Sequence, residues 1–245
     1  MSTLLIAKNA TKIYNKNQKP ALNKVSFQIE NGEFIAIMGA SGSGKTTLLN
    51  VLSTIDKLTS GDIFINGVNI KNLNDSSATD FRKNNLGFIF QEYLLLDSLT
   101  VGENIAVPLT LLHKSPNEIE NSVQALANRF GIGHLLSKYP NELSGGQRQR
   151  VSAARAIVKS PNILFGDEPT GALDSNSATE LLEKLSEVNK ELQTTILMVT
   201  HDANAASYAK RIIIFKDGQI KTELNKGTLT RKVFLDKILE EIANL

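Results

Sequence analysis

Glu33–Leu52 reads "EFIAIMGASGSGKTTLLNVL", and three different kinds of local signal follow one another in it without a gap. Phe34 to Met38 is continuously apolar, the pattern of a strand covered on both faces. Gly39 to Thr46 fits GxxxxGK[ST], and Leu48, Leu52 and Ile55 then recur at helical spacing, one face of a helix. A buried strand, a glycine-rich loop and a helix in that order make a phosphate cradle. The glycines let successive backbone N–H groups converge on an anion, and the helix N-terminus adds a positive field. Gly39, Ser41, Gly42, Ser43, Gly44 and Thr47 supply the cradle. Lys45 is placed to reach the β- and γ-phosphates of a nucleotide, and the Thr46 hydroxyl to ligate Mg²⁺.

Working outward, "KVSFQIE" (Lys24–Glu30) alternates Val25, Phe27 and Ile29 with polar residues, a half-buried strand. "SGDIFING" (Ser60–Gly67) reads as a hairpin edge. "NILFGDE", "TTILMVTHD" and "RIIIFKDG" repeat the buried style at Ile163, Ile196 and Ile212. Buried strands alternating with helical stretches predict an α/β fold, a mostly parallel core sheet carrying an antiparallel β edge. From Leu94 to Lys159 strand-like runs stop, and Pro108, Pro116 and Pro140 punctuate helical stretches, so 94–159 is expected to be a helical insert between the first and second core strands. The expected organisation is one domain over 1–245, with 1–93 and 160–225 as core and β edge and 226–245 as a terminal helix. In that helix, Thr230 to Leu245, the residues Leu235, Ile238, Ile242 and Leu245 form one stripe, expected to dock on the domain itself.

Composition removes several classes of function. A formal charge of +2 over 245 residues gives no footprint for nucleic acid or an anionic membrane. With no cysteine, disulfides and thiolate metal sites are excluded. The N-terminal apolar run is four residues, Leu4 to Ala7, short of a secretory segment, and no stretch reaches the ~18 apolar residues that span a bilayer. Any membrane role is therefore expected to come through a partner.

The phosphate cradle needs a metal ligand and a base, and "ILFGDEPTGALDS" offers both. Asp167 ends a buried strand, where a carboxylate can hold the Mg²⁺ shell from the C-terminal edge of the sheet. Glu168 follows and can polarise a water in line with the γ-phosphate. His201, ending the "MVTHD" strand, can donate to the γ-phosphate and orient that water. Gln91 in "FIFQEY" occupies the same edge, suited to sense a Mg²⁺-bound water and report it to the insert.

A second anion cradle stands at Leu143–Arg150, "LSGGQRQR", a Gly-Gly turn opening a basic helix. Along that helix Val151, Ala154 and Val158 make a buried stripe, with Arg148, Ser152, Arg155 and Lys159 on the other side. Together these motifs resemble the ATP-binding-cassette (ABC) family over nearly the whole chain, "LSGGQ" being its signature. The resemblance explains why one chain carries two cradles. In ABC ATPases two cassettes face head to tail with ATP between them, and the signature of one closes on the γ-phosphate held by the other. It implies that Ser144, Gly145, Gly146 and Gln147 bind ATP in a partner copy, Ser144 through its hydroxyl and Gly146 through its N–H. Tyr14 matches the aromatic that stacks on adenine, and Asp174 the loop that crosses the dimer interface. Gly166 departs from the pattern, standing where a larger apolar residue is common. Because every catalytic position is filled, a homodimer with two competent sites is expected.

The absence of zinc modules, heptad runs and a second cassette leaves the ATPase subunit of a membrane transporter, with a non-transport cytosolic ATPase as the alternative from another class. "YPNELSGGQRQRVSAARAIV" and "FIFQEYLLLDSLTVGENIAVPL" look like the macrolide-export and lipoprotein-release group. "VLSTIDKLTSG" and "ILFGDEPTGAL" lean towards the bacitracin-resistance (Bce-type) branch. That resemblance implies an integral membrane permease as partner, gripped in part by Tyr93 to Leu96, and a peripheral location at the cytoplasmic membrane face. Lipoprotein release, macrolide export and cell division are the alternatives within the family.

Overall fold

The structure is a computed structural model that describes residues 2–15 and 19–244. Among the described residues ten strands run in chain order: β1 (Thr3–Lys12), β2 (Leu22–Glu30), β3 (Phe34–Met38), β4 (Ser60–Ile65), β5 (Val68–Asn69), β6 (Leu86–Phe90), β7 (Ile163–Asp167), β8 (Thr195–Thr200), β9 (Arg211–Lys216) and β10 (Gln219–Asn225). They form two sheets. One is antiparallel with order β2-β1-β4-β5, and the other has order β10-β9-β3-β8-β7-β6, parallel except for β10. The α-helices among the described residues are α1 (Lys45–Leu52), α2 (Asp75–Asn85), α3 (Val101–Leu111), α4 (Pro116–Arg129), α5 (Gly145–Ile157), α6 (Ser175–Leu192), α7 (Ala203–Ala206) and α8 (Arg231–Ala243).

The parallel sheet divides two cores, and the strand period of two does the dividing. On β3, Phe34, Ala36 and Met38 face the core built with α3 to α6 and α8, whereas Ile35 and Ile37 face the one shared with α1 and the antiparallel sheet. β8 splits the same way, Ile196 and Met198 against Leu197 and Val199, as does β9, Ile212 and Ile214 against Ile213 and Phe215. A strand with apolar neighbours on both faces has no reason to alternate, which is why these segments read as unbroken apolar runs. All C-terminal strand ends of the parallel set lie at one edge. That edge therefore carries Gly39, Gln91, Asp167 and His201.

Four local expectations are corrected. The helical segment follows β6, so it lies between the second and third strands of the core sheet. Pro108 does not end α3 but sits in its last turn, where its missing N–H forgoes the helical bond to the Asn104 carbonyl while the helix runs on to Leu111. α1 ends at Leu52, leaving Ile55 beyond the helix and 58% exposed. In α8 the docking residues are Phe234 and Ile238. Leu235 is half-buried, Ile242 is exposed and lines a cleft beside Gly39–Ser43, and Leu245 lies outside the described residues. The missed residue, Phe234, sits one turn before Ile238, so the true stripe is i, i+4 rotated by one position.

Candidate nucleotide site

Gly44 sets the entry to α1. Its backbone is left-handed (φ 106°), and a Cβ there would stand 2.4 Å from the Ala21 carbonyl, so only glycine brings the loop this close to the chain before β2. Lys45 is buried and folds back on the loop, its Nζ donating to the carbonyls of Gly39 (2.8 Å) and Ala40 (2.9 Å). The Ser43 hydroxyl oxygen is buried with no partner among the described residues. Burial pulls the Lys45 ammonium below its ordinary pKa, and the nearby Glu168 and Asp167 carboxylates resist that shift. Asp167 mirrors it: burial raises its carboxyl, Glu168 adds to the rise, and Lys45 opposes it. One cation and two carboxylates thus share a partly desolvated space, a charge arrangement that a phosphate and a divalent cation complete.

Glu168 has a left-handed backbone (φ 45°), uncommon for a residue with a side chain. Two hydrogen bonds impose it: Glu168 N donates to Val199 O and Gly171 N to Glu168 O, each at 2.9 Å. The reversal turns the Glu168 side chain towards His201, whose Nδ1 stands 2.8 Å from Oε2. Gly166, the departure from the family pattern, has a steric reason. A Cβ there would meet Pro169 Cγ at 3.3 Å, so the ring after Glu168 fills the space a larger side chain would take. Gln91 lies against Gly171, within 3.1 Å of where a Cβ would be.

These residues make a cleft of about 640 Å³ lined by Ala21, Ala40–Gly42, Gly44–Thr47, Glu168 and His201. Residues 143–150 do not line it. They form a second centre around the start of α5, where Ser144 caps the helix: its hydroxyl accepts from Gln147 N (3.3 Å) and Gln147 Oε1 accepts from Ser144 N (2.9 Å). Asp174 caps α6 beside it, accepting from the N–H groups of Ser177 and Asn176 (both 3.0 Å) and the Ser177 hydroxyl (2.7 Å). Led by the Ser177 N–H, those bonds hold the Asp174 carboxyl below its ordinary pKa. Gly146 joins the two caps, since a Cβ there would be 2.5 Å from Ser177 Oγ and 2.8 Å from Ser177 Cβ. Gly146→Ala should therefore push α5 from α6 and lower ATP turnover tenfold or more, since a misplacement of ~1 Å can cost ~10²-fold. ATP affinity of the phosphate loop should stay unchanged, read by fluorescent-nucleotide titration beside an ATPase assay.

Tyr14 does not line the cleft; its ring is 55% exposed, with Lys12 Nζ 4.9 Å from the ring centre. On α5, Val151, Ala154 and Val158 are buried, but so is Ser152, which corrects its expected place on the polar side.

A family model described as "ABC transporter" matches residues 22–171. The chain belongs to the ABC transporter family. The cassette is 52% identical over 239 residues to the bacitracin export ATP-binding protein BceA of Halalkalibacterium halodurans, covering 97% of this chain and 94% of that one. It is 41% identical to the macrolide export ATP-binding/permease protein MacB of Campylobacter jejuni, over 97% of this chain but 37% of that longer protein. Among solved structures it is similar to the dimeric cassette MJ0796 in a post-hydrolysis state bound to ADP and Pi, with TM-score 0.82 and 37% identity, covering 91% and 98% of the two chains. The cassette is the nucleotide-binding ATPase subunit of a transporter, in the group of the Bce-like and MacB-like proteins.

Sequence reading missed the residues that bind the Gln91 segment to α5. Arg155 donates to the carbonyls of Tyr93 (2.9 Å) and Leu94 (2.7 Å), Arg148 lies 5.2 Å from the Tyr93 ring centre, and Gln149 bonds Phe90 O. Buried Asn104 similarly clasps Leu96, accepting from its N–H (2.8 Å) and donating to its carbonyl (3.0 Å). Within Tyr93–Leu96, Leu95 packs against the core, while Leu94 and Leu96 are exposed.

Proposed function

We propose that this cassette hydrolyses ATP in a head-to-tail dimer and drives an integral membrane permease that confronts cell-wall-active peptides. The observation that carries the dimer is the separation of the two cradles. Ser144–Gln147 lines no part of its own chain's phosphate cleft, so the signature serves the triphosphate of a second copy. In this reading Lys45 leaves the Gly39 and Ala40 carbonyls for the β- and γ-phosphates, with Ser43 and the loop N–H groups beside it. Glu168 takes the proton of the attacking water, and His201, with both ring nitrogens carrying protons, donates through Nδ1 to Glu168 and through Nε2 to the γ-phosphate. The partner's copy of the signature adds its Ser144 hydroxyl and the Gly146 N–H.

Thr46 and Asp167 would hold Mg²⁺, with Gln91 on one of its waters. The donor set is oxygen only, the hard-ligand chemistry this ion takes. Bound there, the ion neutralises charge developing on the phosphate oxygens. Tyr14 stacks on adenine with its exposed ring, and Asp174 lies at the dimer seam. Residues 1–93 and 160–225 act as the catalytic core, 94–159 as the signature-bearing unit and 226–245 as a helix docked on the core.

No helix among the described residues is long and apolar enough to cross a membrane, so attachment at the cytoplasmic face runs through the permease. The exposed Leu94 and Leu96 beside Gln91 form the grip. Leu94→Glu should weaken co-purification with the permease about tenfold or more, as expected for burying an unpaired charge, and leave nucleotide affinity unchanged. Equal retention of the permease by the variant removes this surface from the interface.

Similarity to the bacitracin exporter over 97% of the chain supports the peptide branch. Deleting the chain should sensitise its host to bacitracin-like or lantibiotic peptides in a growth-inhibition series. The 41% identity to MacB supports a second reading, macrolide export, and lipoprotein release stays an alternative on the motif resemblance alone. Unchanged peptide sensitivity with a macrolide or lipoprotein defect would choose the matching one.

A further inference from the structure

α5 carries a side chain that neither cradle uses. Gln149 is 0% exposed, and its Nε2 donates two hydrogen bonds at once, 2.9 Å to the Phe90 carbonyl and 2.6 Å to the Pro169 carbonyl. Phe90 immediately precedes Gln91, and Pro169 immediately follows Glu168. One amide nitrogen therefore holds the backbone beside the base, Glu168, and beside Gln91, the group set on a Mg²⁺-bound water. A primary amide is the neutral side-chain group that offers two N–H donors from one atom, and Asn is a methylene too short to span the same gap.

The same rigid helix begins at Ser144, about 7.5 Å away along its axis by the rise of an α-helix. Four side-chain polar atoms on α5, Arg148 Nε, Gln149 Oε1, Arg150 Nε and Ser152 Oγ, are buried with no partner among the described residues, and two of them, Gln149 Oε1 and Ser152 Oγ, are acceptors. Buried bare acceptors are costly, and apolar side chains would pack this helix without that cost. The amide is thus explained by the two carbonyls it holds rather than by filling space. Arg155 strengthens the tie by holding the Tyr93 and Leu94 carbonyls from the same helix.

We infer that Gln149 is a positioning residue that ties the base of one nucleotide site to the signature serving the other. The inference rests on the composite site proposed above. Ser144 of a chain closes on its partner's ATP, whereas Glu168 and Gln91 of that chain act on its own. Gln149 makes these ends one body: when α5 shifts as its signature engages, Phe90 and Pro169 are carried with it.

The test uses mixed dimers. A Lys45→Ala chain paired with a Ser144→Arg chain has one intact site, with Lys45 and Glu168 from the second chain and Ser144 from the first. Gln149→Met, close in volume but without donors, is placed in either chain. Single-turnover phosphate release should slow about tenfold when it sits in the chain supplying Glu168, and change less than ~2-fold in the chain supplying Ser144. ATP affinity of each chain should stay within ~2-fold, a split that general loosening of the fold would not give. Gln149→Glu, whose buried carboxyl is neutral and offers one donor, should give the same asymmetry more weakly and serves if the Met variant does not fold. Equal slowing from both positions, or slowing confined to the chain supplying Ser144, overturns the inference. A parental mixture with no recovered activity instead removes the composite site, and the inference with it.

Discussion

Glu168→Gln should leave ATP binding intact and cut turnover ~10²-fold or more, because the amide keeps the shape of the carboxylate and loses its basicity. The position makes the effect large. Glu168 is held in a left-handed backbone by Val199 and Gly171, with His201 2.8 Å from its carboxylate, so no other carboxylate can move into its place. Asp167 is the nearest alternative, but it ends β7 and is assigned to the metal. With hydrolysis blocked, ATP should remain between two chains and hold them together. Size exclusion then shows a dimer peak with ATP that is missing with ADP. A variant that turns over ATP at close to the wild-type rate would show that the base is another group.

Much of this site was readable because its chemistry forces residue types into a contiguous pattern. Gly39–Thr46 must be one unbroken loop to wrap a phosphate, and a buried parallel strand must precede it, so Phe34–Met38 reads without ambiguity. The same logic made Asp167 and Glu168 stand out, since the shift from apolar to acidic residues marks the end of β7. What stayed hidden depends on distance in sequence. Gln149 reaches Phe90 across 59 positions and Pro169 across 20, and nothing in "GQRQR" distinguishes its inward amide from the arginines beside it. Ser152 looked polar and therefore exposed, yet helix packing buried it. The run Tyr93–Leu96 hid its own division, because left-handed backbone at Tyr93 and Leu94 breaks the periodicity that would have shown Leu95 turning inward. In α8 the one-position error came from the missing Phe234, a large ring that outweighs the aliphatic stripe around it.

Lys45→Ala and Ser144→Arg should each abolish hydrolysis in a dimer of identical chains, and mixing the two should restore part of it. The first change removes the cation from the triphosphate. The second puts a long charged side chain at the helix cap proposed to face the partner's γ-phosphate and breaks the Ser144–Gln147 capping pair. In a mixed dimer one site carries both lesions and the other carries neither. Random pairing of equal amounts makes about half of the dimers mixed, so about a quarter of all sites are intact. Single-turnover phosphate release detects those sites whether or not one site alone can sustain cycling. A burst near a quarter of the wild-type amplitude is the expected result. If the signature acted on the phosphate loop of its own chain, every site in the mixture would keep one lesion and no burst would appear. The structure favours the first outcome on geometric grounds. Gly146 packs on Ser177 and Tyr93 lies against the start of α5, so the signature is fixed to the Asp174 loop and the Gln91 segment rather than free to swing onto Lys45.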